Sequence, residues 1–101
     1  MGKFKIKLLS YLFINMSENL ISLTVKLFAA YQEAYGLTEI NLEMPAGSPV
    51  GAVLDYIVDS HPELEKWRTV TRFGVNLQFV PADTPLSEGD EVVLIPPVSG
   101  G

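Results

Sequence analysis

The sequence predicts one α+β domain, in which a mixed sheet carries one main helix across one face. Three observations predict it. Residues 21–28 and 38–44 alternate apolar and polar side chains, residues 48–60 carry a helical apolar stripe, and residues 92–95 are continuously apolar. With short strands between the helix and the last strand, the order is β-β-α-β-β, an α+β roll.

The first two strands follow from a period of two. In residues 21–28 the apolar side chains alternate with polar ones, and Phe28 falls on the polar, exposed side. Residues 38–44 repeat this alternation and predict the burial of Ile40, Leu42 and Met44. The intervening residues 29–36 predict a short helical turn closed by glycine.

The main helix is predicted over residues 48–60. Ser48 is a good N-cap and Pro49 suits the first helical position. The helix should end near Ser60, because His61 precedes Pro62. Its core-facing stripe has helical spacing and comprises Val50, Val53, Leu54, Ile57 and Val58.

The chain between the helix and the last strand alternates short ordered pieces with polar connections. One more turn at residues 62–67 is predicted to place Leu64 and Trp67 on the core. Residues 71–76 and 77–80 predict short strands around a bend, and a long polar connection follows.

The C-terminal residues 90–101 hold the most informative pattern. Residues 92–95 are as continuously apolar as a central strand, and two prolines then end strand pairing and stiffen the exit. Because glycine lets the backbone enter a narrow slot, the carboxylate of Gly101 is predicted to be the functional group. The tail is residues 96–101: Pro96, Pro97, Val98, Ser99, Gly100 and Gly101.

Composition excludes several classes of function. Apolar residues make up 48% of the 101 residues, which is enough for one modest core. The chain has no cysteine, which excludes disulfides, thiolate metal sites and a thiol sulfur carrier. From Met16 onward, four basic residues face twelve acidic ones, which argues against nucleic acid and suits a basic protein partner.

Residues 1–19 are interpreted as an appendage outside the core fold, which is assigned to residues 20–101. The appendage begins with lysines and continues with a short apolar run, but it lacks the small-residue cleavage site of a signal peptide. An extra edge strand, or a natural start at Met16, is an alternative interpretation. No apolar run is long enough to span a membrane, so no membrane partner is expected. The missing cleavage site and the absence of cysteine, which fits a reducing cytosol, predict a cytoplasmic protein.

No group of residues forms a self-contained active site. His61 is the single histidine and has no triad partner, the acidic residues at 83–91 lack a calcium-loop pattern, and the glycines form no phosphate-binding motif. We therefore expect no metal and no stably bound cofactor. On the strand alternations, three apolar side chains face away from the helix and predict a surface for a partner: Phe28, Phe79 and Ile95.

Residues 20–101 resemble the small, sulfur-carrying subunits of molybdopterin synthase, which have a ubiquitin-like β-grasp fold. The similarity is most specific at Val75-Asn76, at residues 85–92 and at residues 95–101, with weaker support from residues 25–29 and from Glu33 and Gly36. The family commonly has a basic residue where this chain has Gln32, and residues 1–19 are not part of its pattern.

The resemblance implies a mechanism. An ATP-dependent, E1-like enzyme adenylates the carboxylate of Gly101, and a sulfur donor converts it to a thiocarboxylate. The tail then enters the large synthase subunit and delivers sulfur to a cyclic pyranopterin. It also implies that Phe28, Phe79 and Ile95 form the docking surface, that the catalytic groups belong to the partner, and that ATP is used only by the activating enzyme.

Three alternatives remain on the sequence alone. Sulfur carriers for thiamine or for tRNA thiolation share the fold and the Gly-Gly end, although the ending of this chain favours the molybdopterin branch. A ubiquitin-like modifier would join Gly101 to a lysine of a target protein. A plain interaction module would have a passive tail.

Overall fold

The computed structural model describes residues 19–97, which form one five-stranded mixed sheet with two helices and a 3₁₀ segment. The strand order across the sheet is β2-β1-β5-β3-β4. The elements are β1 (Leu20–Leu27), α1 (Ala30–Tyr35), β2 (Glu39–Pro45), α2 (Gly51–Ser60), the 3₁₀ segment (Pro62–Val70), β3 (Arg72–Val75), β4 (Gln78–Val80) and β5 (Glu91–Ile95).

Strand β5 lies at the centre of the sheet. It pairs in parallel with β1 on one side and antiparallel with β3 on the other, while β1–β2 and β3–β4 are antiparallel. The side chains of the two neighbouring strands flank β5 on both faces, so even its outward residues Val93 and Ile95 are half-buried, which is consistent with its uninterrupted apolar sequence. The predicted α+β class and the central position of the last strand are confirmed.

The predicted order β-β-α-β-β is one strand short. The two short strands predicted around a bend are separate members of the sheet, and the turn between them is Asn76-Leu77. The predicted helical turn after β1 is α1, which ends at Gly36 in the left-handed conformation with φ 68°. Glycine adopts this conformation at little cost, so it terminates the helix there.

The main helix begins three residues later than predicted. Its N-cap position is Val50, without a side-chain cap, and Ser48 instead donates its hydroxyl hydrogen bond to the carbonyl of Pro45. The backbone carbonyl of Ser48 accepts from Leu86, and Pro49 bridges to Pro85. The helix-start residues are therefore used to tie the polar connection before β5 to the end of β2.

One face of the sheet packs against α1, α2 and the 3₁₀ segment. The fully buried residues include Leu23, Leu27, Val92 and Leu94 from the central strands and Tyr31 from α1. The helical stripe is buried as predicted, at Val50, Val53, Leu54, Ile57 and Val58. Leu64 is buried and Trp67 packs against the same core, so the segment after α2 closes one side of the domain.

The predicted boundary at residue 20 coincides with the first residue of β1. The assignment of residues 1–19 to an appendage stays a prediction, because residues 1–18 lie outside the described residues. No helix within residues 19–97 combines the length and hydropathy needed to cross a membrane.

Candidate docking face and tail exit

The face of the sheet that carries no helix is formed by every second residue of the strands. In β5, Val92 and Leu94 are fully buried on the helix side, whereas Val93 and Ile95 alternate with them and are half-buried. In β1, Leu27 is buried and the following Phe28 is 51% exposed. Because side chains alternate across a strand, Val93, Ile95 and Phe28 share the outer face.

Strand register brings Phe28 and Ile95 to one end of this face. Leu27 is the register partner of Leu94, so the next residue of each parallel strand is Phe28 and Ile95. On its other side Ile95 is opposite Arg72 of β3. Phe28 and Ile95 thus lie at the end of β5 from which the tail leaves.

Phe79 lies one strand further, on the edge strand β4, and its side chain is 70% exposed. It is paired with Gly74, which in turn is paired with Val93. Since Gly74 has no side chain, the outer face has a shallow depression between the side chains of Phe79 and Val93. The Arg72 guanidinium stacks over the Phe79 ring with 5.4 Å between its carbon and the ring centroid, a cation–π contact that orients the ring.

We define the docking face as Phe28, Arg72, Phe79, Val93 and Ile95. The three residues predicted from sequence are thus on one side of the sheet, with Phe28 and Ile95 as neighbours. Phe79 is separated from Ile95 by β3 and linked through Arg72. An exposed apolar area bordered by polar residues is typical of a protein-binding surface.

The other half of the outer face is polar. Lys26 Nζ lies 2.8 Å from Glu39 Oε1 and 3.9 Å from Glu91 Oε2. The hydrogen bond to Glu39 and the nearby negative charges raise the pKa of Lys26 above its usual value. Lys26 therefore stays protonated, its positive charge is compensated by these two carboxylates, and this ion-paired group borders the apolar half of the face.

The tail exit is partly described. Pro96 is buried and Pro97 is exposed, immediately after β5 ends at Ile95. Neither proline has an N–H to donate, so the ladder of β5 is not extended by N–H donors at Pro96 and Pro97. The remaining predicted site residues, Val98, Ser99, Gly100 and Gly101, lie outside the described residues.

Two members of the docking face were missed by the sequence analysis. Val93 follows from the alternation that identifies Ile95, because the two are separated by one residue in β5. Arg72 has no local signal, since its contact with Phe79 depends on the pairing of β3 with β4. Within residues 19–97, no group of three or more histidine, aspartate or glutamate side chains is placed to hold a metal ion.

A surface cavity of about 580 Å³ adjoins the docking face at Phe79. Arg68 and Arg72 both line it. Arg68 is paired with Glu65 and Asp55, and these carboxylates raise its pKa. No carboxylate lies within ion-pair distance of Arg72 among the described residues, so this cation remains available to an acidic partner group beside the apolar face.

Comparison with known proteins gives consistent matches over most of the chain. The model of the ThiS family matches residues 25–101. The chain is 33% identical to the molybdopterin synthase sulfur carrier subunit of Arabidopsis thaliana, over 80% of this chain and 84% of that protein.

Solved structures agree with the fold. SAMP1 from Haloferax volcanii superimposes with a TM-score of 0.66 and 31% identity, over 79% of this chain and 99% of that one. One chain also matches from the solved protein–protein complex of subunits 1 and 2 of the molybdopterin-converting factor of Helicobacter pylori 26695. It superimposes with a TM-score of 0.51 at 27% identity, over 80% of this chain and 100% of that one. The fold, the family match and the identity to curated relatives together establish that the chain belongs to the ThiS family.

Proposed function

We propose that this chain is the sulfur carrier subunit of a molybdopterin synthase and acts in molybdenum cofactor biosynthesis. The observation that carries the proposal is the position of the docking face, since its central strand β5 continues directly into the tail. A partner that binds Ile95 and Phe28 therefore lies beside the point from which the tail leaves. The similarity to sulfur carrier subunits over four fifths of the chain supports the same assignment.

The proposed chemistry takes place at the carboxylate of Gly101, which the family match includes. One carboxylate oxygen attacks the α-phosphorus of ATP and releases diphosphate, which gives an acyl-adenylate. Hydrosulfide from the sulfur donor then attacks the acyl carbon, the bond to AMP breaks, and the products are a thiocarboxylate, AMP and a proton. A plain carboxylate has no good leaving group, so adenylation makes the exchange of oxygen for sulfur feasible. The activating enzyme and the sulfur donor supply the catalytic groups.

The proposed partners are the large synthase subunit and an ATP-dependent, E1-like activating enzyme. Each must receive the tail in its own active site, so each is expected to use the docking face in turn. The chain itself would contribute orientation, through the face, and a reactive end. ATP is used by the activating enzyme, and we propose that the carrier binds no cofactor stably and works in the cytoplasm.

Intact mass measurement tests the sulfur chemistry. After incubation with the activating enzyme, ATP and a sulfur donor, the chain should gain the mass difference of one oxygen-to-sulfur exchange. A variant lacking Gly101 should fold normally and gain nothing, because the end group is displaced from the position that the activating enzyme reaches. Sulfur transfer by that variant would contradict the proposal.

A second candidate function is protein modification, which the similarity to SAMP1, a small archaeal modifier protein, raises. In that case Gly101 would form an isopeptide bond with a lysine of a target. The same incubation distinguishes the two, because conjugates of higher mass would indicate a modifier and an oxygen-to-sulfur exchange a carrier.

The docking face is tested by Phe79→Ser. The ring is mostly exposed, so the variant should retain its melting temperature within a few degrees but bind the large subunit about 10–100 times more weakly, as expected for a buried aromatic anchor. The matched control is Gln78→Ala, on the preceding and likewise exposed residue of β4, which should leave binding unchanged. Equal affinity of Phe79→Ser and the wild type would exclude Phe79 from the interface.

A further inference from the structure

Leu77 is the most exposed large apolar side chain among residues 19–97. Its side chain is 90% accessible to solvent, at the tip of the hairpin that joins β3 and β4. The fold gains no burial from it. A single exposed leucine is ordinary in itself, so its backbone conformation decides whether it needs an explanation.

The backbone of Leu77 is strained for this residue type. Both residues of the turn have positive φ, 50° at Asn76 and 71° at Leu77, as a two-residue type I′ hairpin turn requires. Asparagine tolerates this conformation, and the second position favours glycine. A leucine at the second position therefore has an unfavourable backbone conformation and leaves its apolar side chain in water. With 90% of the side chain accessible, burial within the domain offsets neither of these two costs.

The turn is fixed by hydrogen bonds to the beginning of β5. The side chain of Asn76 donates to Asp90 Oδ1 at 2.9 Å and accepts from the backbone N–H of Glu91 at 2.9 Å. The backbone N–H of Asn76 donates to the carbonyl of Glu91, also at 2.9 Å. Strained residues persist where the surroundings determine their geometry, and these three bonds hold the turn that presents Leu77.

The surroundings of Leu77 indicate what it contacts. It lies two residues before Phe79 of the docking face, and the partners of its neighbour Asn76 are the acidic residues Asp90 and Glu91. Glu91 and Ile95 are the first and last residues of β5, about 13 Å apart at 3.3 Å per residue. A partner that receives the tail and also reaches Leu77 must cover the full length of the sheet face.

We propose that Leu77 is an anchor for the large synthase subunit and enters an apolar pocket bordered by basic side chains. This inference rests on the proposed function. The apolar character of the pocket follows from the leucine, and its basic border from the Asp90 carboxylate beside the turn, whose hydrogen bonds come from the uncharged donors of Asn76 and Ser87. Held by Asn76, the side chain is already positioned, so binding loses little conformational entropy there.

Replacing Leu77 by glycine separates its effect on the stability of the domain from its effect on binding the partner. Leu77→Gly relieves the strain, so its melting temperature should equal or exceed that of the wild type, while its Kd for the large subunit should rise about tenfold or more with the loss of a buried leucine. Leu77→Met should bind within about twofold of the wild type, because it keeps an apolar side chain. The control Gln78→Ala should change neither quantity. Calorimetric titration and thermal unfolding give the two readouts.

The outcomes distinguish this inference from the proposed function. A large subunit that fails to bind the wild-type chain would contradict the proposed function itself. Wild-type binding with an unchanged Kd for Leu77→Gly would overturn only the role of Leu77. A lower melting temperature of Leu77→Gly would overturn the strain argument. Self-association of the wild type that Leu77→Gly abolishes would assign the leucine to a second copy of this chain and overturn the proposed occupant.

Discussion

Tyr31 shows how a single buried polar group is satisfied in this small core. Its side chain is fully buried, and its hydroxyl is hydrogen-bonded to Thr71 Oγ1. The Thr71 hydroxyl donates to the carbonyl of Trp67 at 2.8 Å, so Tyr31 must be the donor in its own bond with Thr71. The chain Tyr31–Thr71–Trp67 thus joins α1 to the end of the 3₁₀ segment, directly before β3.

This arrangement predicts a pH dependence of stability. Burial raises the pKa of Tyr31, and it also raises that of Tyr35, because the charged phenolate is disfavoured away from water. The folded state then keeps protons that the unfolded state releases above about pH 10. The contribution of these two phenols to the free energy of unfolding should therefore be fully present below that pH and should be lost as the pH rises through it.

Tyr31→Phe tests this prediction. At pH 8 the variant should lose about 1–2 kcal/mol of unfolding free energy with the hydrogen bond. Between pH 9 and 11 its stability should fall less steeply than that of the wild type, because one of the two buried phenols is gone. Urea unfolding at each pH provides the measurement, and identical pH slopes for both proteins would contradict the prediction.

At the scale of elements, the β3–β4 hairpin is positioned by the beginning of β5. The side chain of Asn76 donates a hydrogen bond to the Asp90 carboxylate and accepts one from the backbone N–H of Glu91. The same Asp90 carboxylate also accepts from the backbone N–H of Ser87 at 2.8 Å. The polar connection before β5 is therefore ordered by the same carboxylate that fixes the hairpin. Because Leu77 and Phe79 lie on this hairpin, the same hydrogen bonds determine their positions.

Asn76→Asp should weaken this junction. The substitution removes the amide donor and places a second carboxylate against Asp90, so we expect a loss of about 1–3 kcal/mol at pH 7. Below about pH 4 the added carboxyl is protonated and can donate again, which should reduce the difference from the wild type. Urea unfolding at pH 7 and pH 3 measures both values. A loss that is equal at the two pH values would show that charge repulsion is not the cause.

The sequence predicts these elements unevenly. Alternation was sufficient for β1, β2 and the outward direction of Phe28, because each depends only on neighbouring residues. The start of α2 was predicted too early, since the residues Ser48 and Pro49 pair with a segment almost forty positions later. Local capping signals contain no information on such distant pairing.

The candidate site was likewise predicted only in part. Phe79 and Ile95 follow from strand alternation, but Arg72 requires the β3–β4 register and Leu77 requires the φ values of a turn. The tail pattern predicted that the Gly101 carboxylate is functional, whereas its adenylation and its conversion to a thiocarboxylate came from the resemblance to a family, and both stay proposals. Short-range patterns thus predicted which side chains point outward, and the sheet pairing determines which of them lie together.

At the scale of the whole molecule, a mainly apolar docking face lies on a protein with a negative net charge. The protein has a formal net charge of −5. The positive charge of Lys26 on the outer face is balanced by its ion pairs with Glu39 and Glu91. A basic partner surface would be attracted over several ångströms before the apolar contacts form. Charge is therefore expected to determine how fast the partner arrives, and the apolar residues how long it stays.

Salt dependence tests this division. The association rate with the large subunit should fall about tenfold or more between roughly 20 and 300 mM salt, while the dissociation rate changes little. Glu43→Gln and Glu88→Gln, both exposed and outside the docking face, should each lower the association rate at low salt. Stopped-flow fluorescence provides these rates. A salt-independent association rate would contradict electrostatic attraction.

The central place of β5 also has a consequence for synthesis on the ribosome. The hairpins β1–β2 and β3–β4 are complete before β5 is made, yet both need β5 to join into one sheet. A nascent or prematurely released chain without β5 consists of two half-sheets with unpaired edges, which are prone to aggregation. The proposed reactive end follows the strand that completes the sheet, so a chain released before β5 would lack both the joined sheet and the end that is proposed for activation.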